Sequence, residues 1–314
     1  CDPENVEPLP PLTVDEPTIT MTFQVNDSPF AGTDGKFLTS HQIRERLYTE
    51  ALHNVALRVE ETEDPDKFRV SGRGELHLAI LVETMRREGY ELGISRPEVI
   101  IKEIDGITCE PYEKLVVDVE ERHQGPVMER LGERKGRLEN MIPDGKGRVR
   151  LDYEIPSRGL IGWQTDFLTV TSGSGLTYHS FERYGPIRAN VIRSRTNGVL
   201  VSKYTGKAVA YALFNLQDRG QLFVEHGTAV YEGMIIGINA RANDLVVNPA
   251  KGKHLTNMRA AGSDENILLT PAKHLTLEQA FGFINDDELI EVTPKFIRLR
   301  KKISNSEERK RGSR

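Results

Sequence analysis

Three residues with chemical potential fall within five positions of the run Ser71-Gly72-Arg73-Gly74-Glu75-Leu76-His77-Leu78. An arginine, a carboxylate and an imidazole together raise acid–base or metal chemistry as a first thought. The spacing argues against it. Glu75 and His77 lie two apart on an expected helix, so they point about 200° apart and cannot chelate one ion. The eight histidines nowhere pair at ligand spacing, and no metal ligand is assigned. Gly35-Lys36, Gly145-Lys146, Gly206-Lys207 and Gly252-Lys253 are not followed by Ser or Thr. None is preceded by the glycine that a phosphate-cradling loop requires. No nucleophile elbow occurs, and neither Cys1 nor Cys109 has an adjacent histidine. No catalytic residue is assigned.

Nucleic-acid contact has a stronger basis. Asn243 to Gly262 is a long polar segment holding Asn243, Asn248, Lys251, Lys253, His254, Asn257 and Arg259. Lys and Arg neutralise phosphates, and Asn and His read bases or ribose hydroxyls. The plainer reading is a solvated basic loop, expected to be mobile in the free protein. Arg158, Gln164 and Trp163 form a smaller candidate surface, with Trp163 read equally as core packing. Charge distribution points the same way. Residues 1–186 carry 22 Lys+Arg against 34 Asp+Glu, whereas residues 187–314 carry 20 against 13. A basic third behind an acidic body is expected to face phosphate, although the terminal Lys301-Lys302 and Arg309-Lys310-Arg311 supply part of the excess.

The elements that must hold these residues are two small α/β plates and a β-rich region. Thr18 to Val25 alternates as a half-buried strand. Thr39 and Gln42 form a capping-box pattern for a helix through Asn54, with Ile43, Leu47, Ala51 and Leu52 as its inner face. Ala56–Val59 and Phe68–Val70 read as paired strands. A second helix from Glu75 buries Leu78, Leu81, Val82 and Met85 and stops at Gly89, and Val99–Ile101 closes the sheet. Residues 112–186 repeat the plan with strands at 114–119, 148–155 and 175–181, a turn within Met141–Gly147, a helix with Pro126 in its first turn and Val127 and Leu131 on it, and a short helix after Pro156. The expected fold class is α+β. It comprises a linker over 1–16, ferredoxin-like split βαβ domains over 17–106 and 107–186, a β-rich domain over 187–300, and a basic tail over 301–314. In the last domain, strands are expected at 198–201, 233–238, 286–292 and 296–299, and a helix at 275–283. The opening at Cys1, followed by a stretch with four prolines before Thr13, is expected for a piece of a longer chain. Two cysteines make no disulfide framework. No apolar run approaches a membrane span, so a cytoplasmic protein with no membrane partner is expected.

The Ser71–Leu78 junction resembles the third domain of translational GTPases of the elongation factor G kind. Ile155-Pro156, Gly162, Thr171-Ser172-Gly173-Ser174-Gly175 and Tyr184-Gly185-Pro186 resemble domain V of the same factors. Only Lys102 to Tyr112 joins the two plates, leaving no room for domain IV, which the factor LepA also lacks. Leu160-Ile161-Gly162-Trp163 is similar to the BipA/TypA version, and Asn248 to Ala260 resembles that family's C-terminal loop. The resemblance is to the C-terminal half of BipA/TypA, a ribosome-associated GTPase family. It implies a parent that hydrolyses GTP and acts in translation or ribosome assembly under stress. GTP and magnesium would bind a part absent here, and no cofactor would bind this stretch. Implied partners are the ribosome, through large-subunit rRNA, the stalk base, the GTPase-activating region and the A-site tRNA, and the GTPase and β-barrel domains of the same chain. Lys251, Lys253, His254, Asn257 and Arg259, with Arg158 and Gln164, are the implied RNA contacts. The competing expectation is a small-molecule-binding regulatory or enzymatic module built on tandem ferredoxin-like domains. An apolar pocket between the plates would favour that alternative.

Overall fold

The computed structural model describes residues 16–188, 195–252 and 268–312. The first plate contains β1 (Ile19–Val25), α1 (Ser40–His53), β2 (Arg58–Glu61), β3 (Lys67–Gly72), α2 (Glu75–Glu88), β4 (Leu92–Ile94) and the short β5 (Glu98–Val99). The capping box at Thr39 and Gln42 is formed. Gly89 ends α2 at φ +101°, where a side chain would be strained. The strand order β4-β1-β3-β2, all antiparallel, is that of a split βαβ plate.

Two sequence expectations are corrected here. The closing strand is Leu92–Ile94, not 99–101; Val99 instead pairs with Ile19 at the other end of β1. A three-residue strand containing glycine is too short to show a period-two pattern. Leu52 does not lie on the inner face but is 82% exposed. It lies nine residues past Ile43, about 180° around the helix, so it faces away from the Ile43–Leu47 stripe.

A hairpin of β6 (Lys102–Ile104) and β7 (Ile107–Glu120) turns at Asp105 and Gly106, with φ of 53° and 75°. The second plate continues with α3 (Glu121–Glu133), β8 (Arg137–Pro143), β9 (Arg148–Pro156), a 3₁₀ turn at Ser157–Gly159, α4 (Trp163–Val170) and β10 (Leu176–Pro186). Its order is β10-β7-β9-β8, the same plan again. Leu115, Val117, Val127, Leu131, Leu151, Trp163 and Phe167 form its own core. The expected turn follows β8, but β8 itself is an unforeseen edge strand whose seven residues are all exposed.

The remaining elements are β11 (Val199–Ser202), β12 (Gly206–Lys207), α5 (Ala210–Gln217), β13 (Gly220–Leu222), β14 (Ala229–Val230), β15 (Met234–Asn239), β16 (Leu245–Val247), α6 (Leu277–Phe283), β17 (Glu288–Val292), β18 (Ile297–Lys301) and α7 (Ser306–Gly312). The expected strand pair at the end is present as β17 and β18, and the expected helix is α6. Helix α5 was not expected as such. Most of this region extends the sheet of the first plate. β4 pairs antiparallel with β17, placing Ile94 opposite Ile290 and Leu92 opposite Val292. One 11-stranded sheet therefore runs through both regions. One core joins them as well, from Phe23, Leu47 and Met85 to Ile235, Phe281 and Val292.

Buried carboxylates fasten this junction. Glu91, fully buried, accepts from the backbone N–H groups of Gly32 (2.8 Å), Asp34 (2.9 Å) and Gly35 (2.5 Å). Glu291, also fully buried, accepts from Ser28 Oγ (2.8 Å) and Tyr231 Oη (2.6 Å) and pairs with Arg298 (3.0 Å). Ser28 belongs to the loop after β1, so the first plate reaches across into the β-rich region to satisfy a charge there. Such a charge is tolerated only because each oxygen is met by donors.

Candidate functional site

The Ser71–Leu78 junction is a three-way joint. A Cβ on Gly72 would stand 2.8 Å from His77 Nδ1 and 3.0 Å from Leu78 Cδ2, so a side chain here would push both residues from their places. His77 Nδ1 accepts from the Arg73 backbone N–H (3.3 Å), and Nε2 lies 2.8 Å from the Asn54 side-chain amide at the end of α1. Burial lowers the His77 pKa, aided by the charge of Arg73. The ring therefore stays neutral, as an accepting Nδ1 demands. His77 ties the turn to both helices of the first plate.

Glu75 points the other way, to the second plate. Its Oε2 accepts from the backbone N–H of Gly162 at 2.9 Å. Gly162 sits at φ +70°, and its α-carbon faces Gly282 of α6, where a Cβ would come within 3.0 Å. Arg134 fixes this loop by donating to the carbonyls of Gly159 (2.7 Å) and Ile161 (2.9 Å) and pairing with Asp166 (2.5 Å). First plate, second plate and α6 thus meet around one carboxylate.

Beside the joint lies a cleft of about 640 Å³ lined by Arg73, Glu75, Trp163, Tyr178, His179 and Glu278 among others. Burial pushes the Glu75 carboxyl up to about 7, against the Gly162 hydrogen bond and the Arg134 charge. His179 hydrogen-bonds Glu113, which raises its pKa. Both groups have protein partners, Glu75 across the seam and His179 within the second plate. Trp163 is 2% exposed and packs on Phe167 at 5.3 Å between centroids, which places it in the core.

The expected RNA contacts are dispersed. Gln164 lies on the rim of the cleft. Arg158 pairs with the buried Glu110 at 2.6 Å and donates to the carbonyl of Arg188 at 2.5 Å, which makes it a strut of the second plate. Lys251 is exposed. Lys253, His254, Asn257 and Arg259, and most of the segment expected to be mobile, lie outside the described residues.

The anchors of that segment are described, and they bracket α5. Val209, which caps α5, donates its N–H to the Pro249 carbonyl at 3.0 Å. At the other end, Gln217 accepts from the Thr270 N–H (3.0 Å) and donates to the Leu268 carbonyl (3.4 Å). Sequence reasoning missed α5 and the Glu113–His179 pair. The available signal was Lys203, Tyr204, Lys207, Tyr211 and Phe214, cations and rings gathered within twelve residues.

Residues 107–195 match the family described as elongation factor G C-terminus. Residues 197–306 match the TypA/BipA C-terminal domain. The chain is 63% identical over 314 residues to the large ribosomal subunit assembly factor BipA of Salmonella typhimurium, covering 100% of this chain and 52% of that protein. Identity is 63% to the protein of the same name from Escherichia coli strain K12 and 62% to that from Haemophilus influenzae, covering 52% and 51% of them. A solved structure of a Thermus thermophilus protein aligns with a TM-score of 0.37 at 15% identity, over 58% of this chain and 43% of that one, and adds nothing to the assignment. The chain spans about half the length of the curated relatives it matches. It belongs to the BipA/TypA family, whose C-terminal half it matches along its whole length.

Proposed function

We propose that the chain is the ribosome-docking portion of a translational GTPase of the BipA/TypA type. In this reading it divides at about residues 106 and 186, and its basic third binds large-subunit rRNA and the A-site tRNA region through Lys251, Lys253, His254, Asn257 and Arg259. GTP and magnesium belong to a part of the parent outside this sequence. The parent hydrolyses GTP in the cytoplasm and serves ribosome assembly or translation under stress. The observation that carries the reading is a contrast in cation partnering. Arginines of the second plate are held by carboxylates, as Arg137, Arg183 and Arg188 are by Glu154. Lys203, Lys207 and Lys251, around the base of the long segment, are exposed and have no ion-pair partner among the described residues. Unpaired cations gathered on one surface are what a polyanion neutralises.

The test is ribosome binding by full-length protein carrying K251A, K253A and R259A across a salt series. Weaker binding with a salt slope reduced by about one per lost phosphate contact is expected, and an unchanged slope with an intact melt refutes direct contact. This chain alone is expected to bind no GTP; a stoichiometric, magnesium-dependent complex in calorimetry would overturn that. A second reading, a small-molecule module, rests on the cleft between the plates. It is the weaker reading because Glu75 is already engaged across the seam by Gly162, and His179 is held within the second plate by Glu113.

A further inference from the structure

Helix α5 has an unusual face. Its eight residues, AYALFNLQ, include no charged side chain. Ala212 and Leu213 are buried, whereas Tyr211 and Phe214 are 37% and 43% exposed. Three residues apart, the two rings share one side of the helix. Neither ring is in contact with another ring or a cation among the described residues. Nearby, Tyr204 is 46% exposed and carries Lys203 Nζ 5.5 Å from its ring centroid.

The surroundings are basic. Lys203 donates its backbone N–H to the Val247 carbonyl (2.8 Å), and Gly206 lies against Ala250, so the chain leading to Lys251 runs beside Lys203 and Lys207. Arg219, exposed, stands just past the other end of α5. The acidic groups nearby are Asp218, which follows α5, Glu225, engaged by His274 at 3.1 Å, and Glu232, whose N–H donates to Thr205 Oγ1 and whose carboxylate accepts from the Ser306 N–H. Two exposed rings on one helix face, with exposed Lys207 three residues before the helix, set an apolar surface close in the chain to a cation. A partner that is flat and apolar on its faces and anionic along its backbone fits both features. Unpaired nucleotides have that chemistry, because every base has a π-face to stack and a phosphate to pair.

We propose that the exposed face of α5, through Tyr211 and Phe214, is a stacking platform for unpaired RNA bases, with Lys203, Lys207 and Lys251 holding the adjoining phosphates. The platform rests on the ribosome-docking reading and gives it a second component, one that does not depend on charge. Paired RNA buries its base faces and would gain little here.

The experiment measures binding of this 314-residue chain to a short oligo(A) RNA and to an RNA duplex of equal length, across a salt series. Y211A/F214A is expected to weaken oligo(A) binding by about 5- to 150-fold for each base that loses its ring. Duplex binding and the salt slope should stay unchanged, because stacking releases no counterions. K203A/K207A/K251A should instead lower the salt slope by about two for a single strand. Y211F/F214Y, which keeps both rings, should restore binding. Should the double alanine variant fail to fold, Y211L/F214L keeps the apolar volume without the π-face and must show the same selective loss.

Equal loss on duplex and single strand, or no loss on either, overturns the platform. Loss of ribosome binding by Y211A/F214A with oligo(A) binding intact also overturns it, and assigns the face to a protein. If K251A/K253A/R259A weakens ribosome binding while Y211A/F214A leaves oligo(A) binding unchanged, the platform fails and the docking reading stands. If neither variant has any effect, both fail.

Discussion

The first plate has two neighbours and meets them in opposite ways. Toward the β-rich region it offers a strand edge. β4 pairs with β17, the cores merge, and Glu91 and Glu291 are buried with full sets of donors. Toward the second plate it offers the tip of α2, one carboxylate-to-amide hydrogen bond and a cleft. The first boundary resembles the inside of a domain. The second resembles a transient interface, with its own core on either side. A backbone ladder cannot slide by part of a residue without losing its hydrogen bonds, so the first pair should move as one body. Among the described residues this seam has one hydrogen bond and the packing of Ile161 against the first core, so it can reorient at a smaller cost than a strand ladder.

The largest expected effect comes from breaking the fused boundary. Glu291→Ala leaves Arg298, Tyr231 and Ser28 without their buried acceptor. A loss of about 3–5 kcal/mol is expected. The single tryptophan, Trp163, lies in the core of the second plate and beside the seam, so its fluorescence follows the unfolding of that plate and its docking. In urea titrations, circular dichroism should show the fused body melting early while the Trp163 transition moves less. Coincident shifts of equal size would mean that the two boundaries are equally tight.

Next in size is Gly282→Val. A Cβ at this position would stand 2.8 Å from Gly162 Cα, forcing the second plate off α6. The expected cost, about 1–3 kcal/mol, should fall on docking alone. It is read as altered Trp163 emission and a larger radius of gyration in solution scattering, with the main melting transition preserved.

A smaller effect concerns pH at the seam. Burial raises the Glu75 carboxyl to about 7, so its protonated form is the one the fold prefers. Its contribution is greatest below the ordinary carboxyl value and is lost as pH rises through about 7. His179 is raised by its hydrogen bond to Glu113. Its contribution is full below the ordinary imidazole value and is lost as pH climbs past the raised one. Arg134 and Glu278 also face Glu75 and act on it in opposite senses. The two shifts have the same sign, so stability at the seam should fall by on the order of 1–2 kcal/mol between pH 5 and 8, allowing for partial solvent exposure. Glu75→Gln keeps an acceptor for Gly162 and should flatten the Glu75 part of that slope. A melting temperature with the wild-type pH dependence would rule out Glu75 as its source.

The smallest effect tests the fused boundary at its rim. Arg96 of the first plate pairs with Asp286 at 2.9 Å, but Asp286 is 78% exposed. Asp286→Ala should change stability by less than about 1 kcal/mol and lose even that in high salt. A loss comparable to that of Glu291→Ala would show that the boundary is held from its surface.

Much of each plate was legible in the chain. Local signals carry it: the Thr39–Gln42 capping box, the stop at Gly89, the alternation of Arg148–Ile155, and the apolar stripe of α2 each depend on neighbours within a turn or two. Strand β8 left no such trace, because all its residues are exposed and nothing enforces alternation. Helix α5 was hidden for a related reason: it is short and keeps two rings outside. The motif at Ser71–Leu78 was conspicuous, yet its role as a joint was not readable, since Asn54, Gly162 and Gly282 become its neighbours only after folding. Sequence alone thus determined the two split βαβ plates, the polar basic segment and the family, all of which rest on residue order and local periodicity. Tertiary structure decided that β4 would pair with β17 across nearly two hundred residues, which lysines would stand unpaired together, and that a helix-tip carboxylate would hold its proton near neutrality. Each of these depends on which surfaces exclude water from one another, and that is a property of the assembled chain.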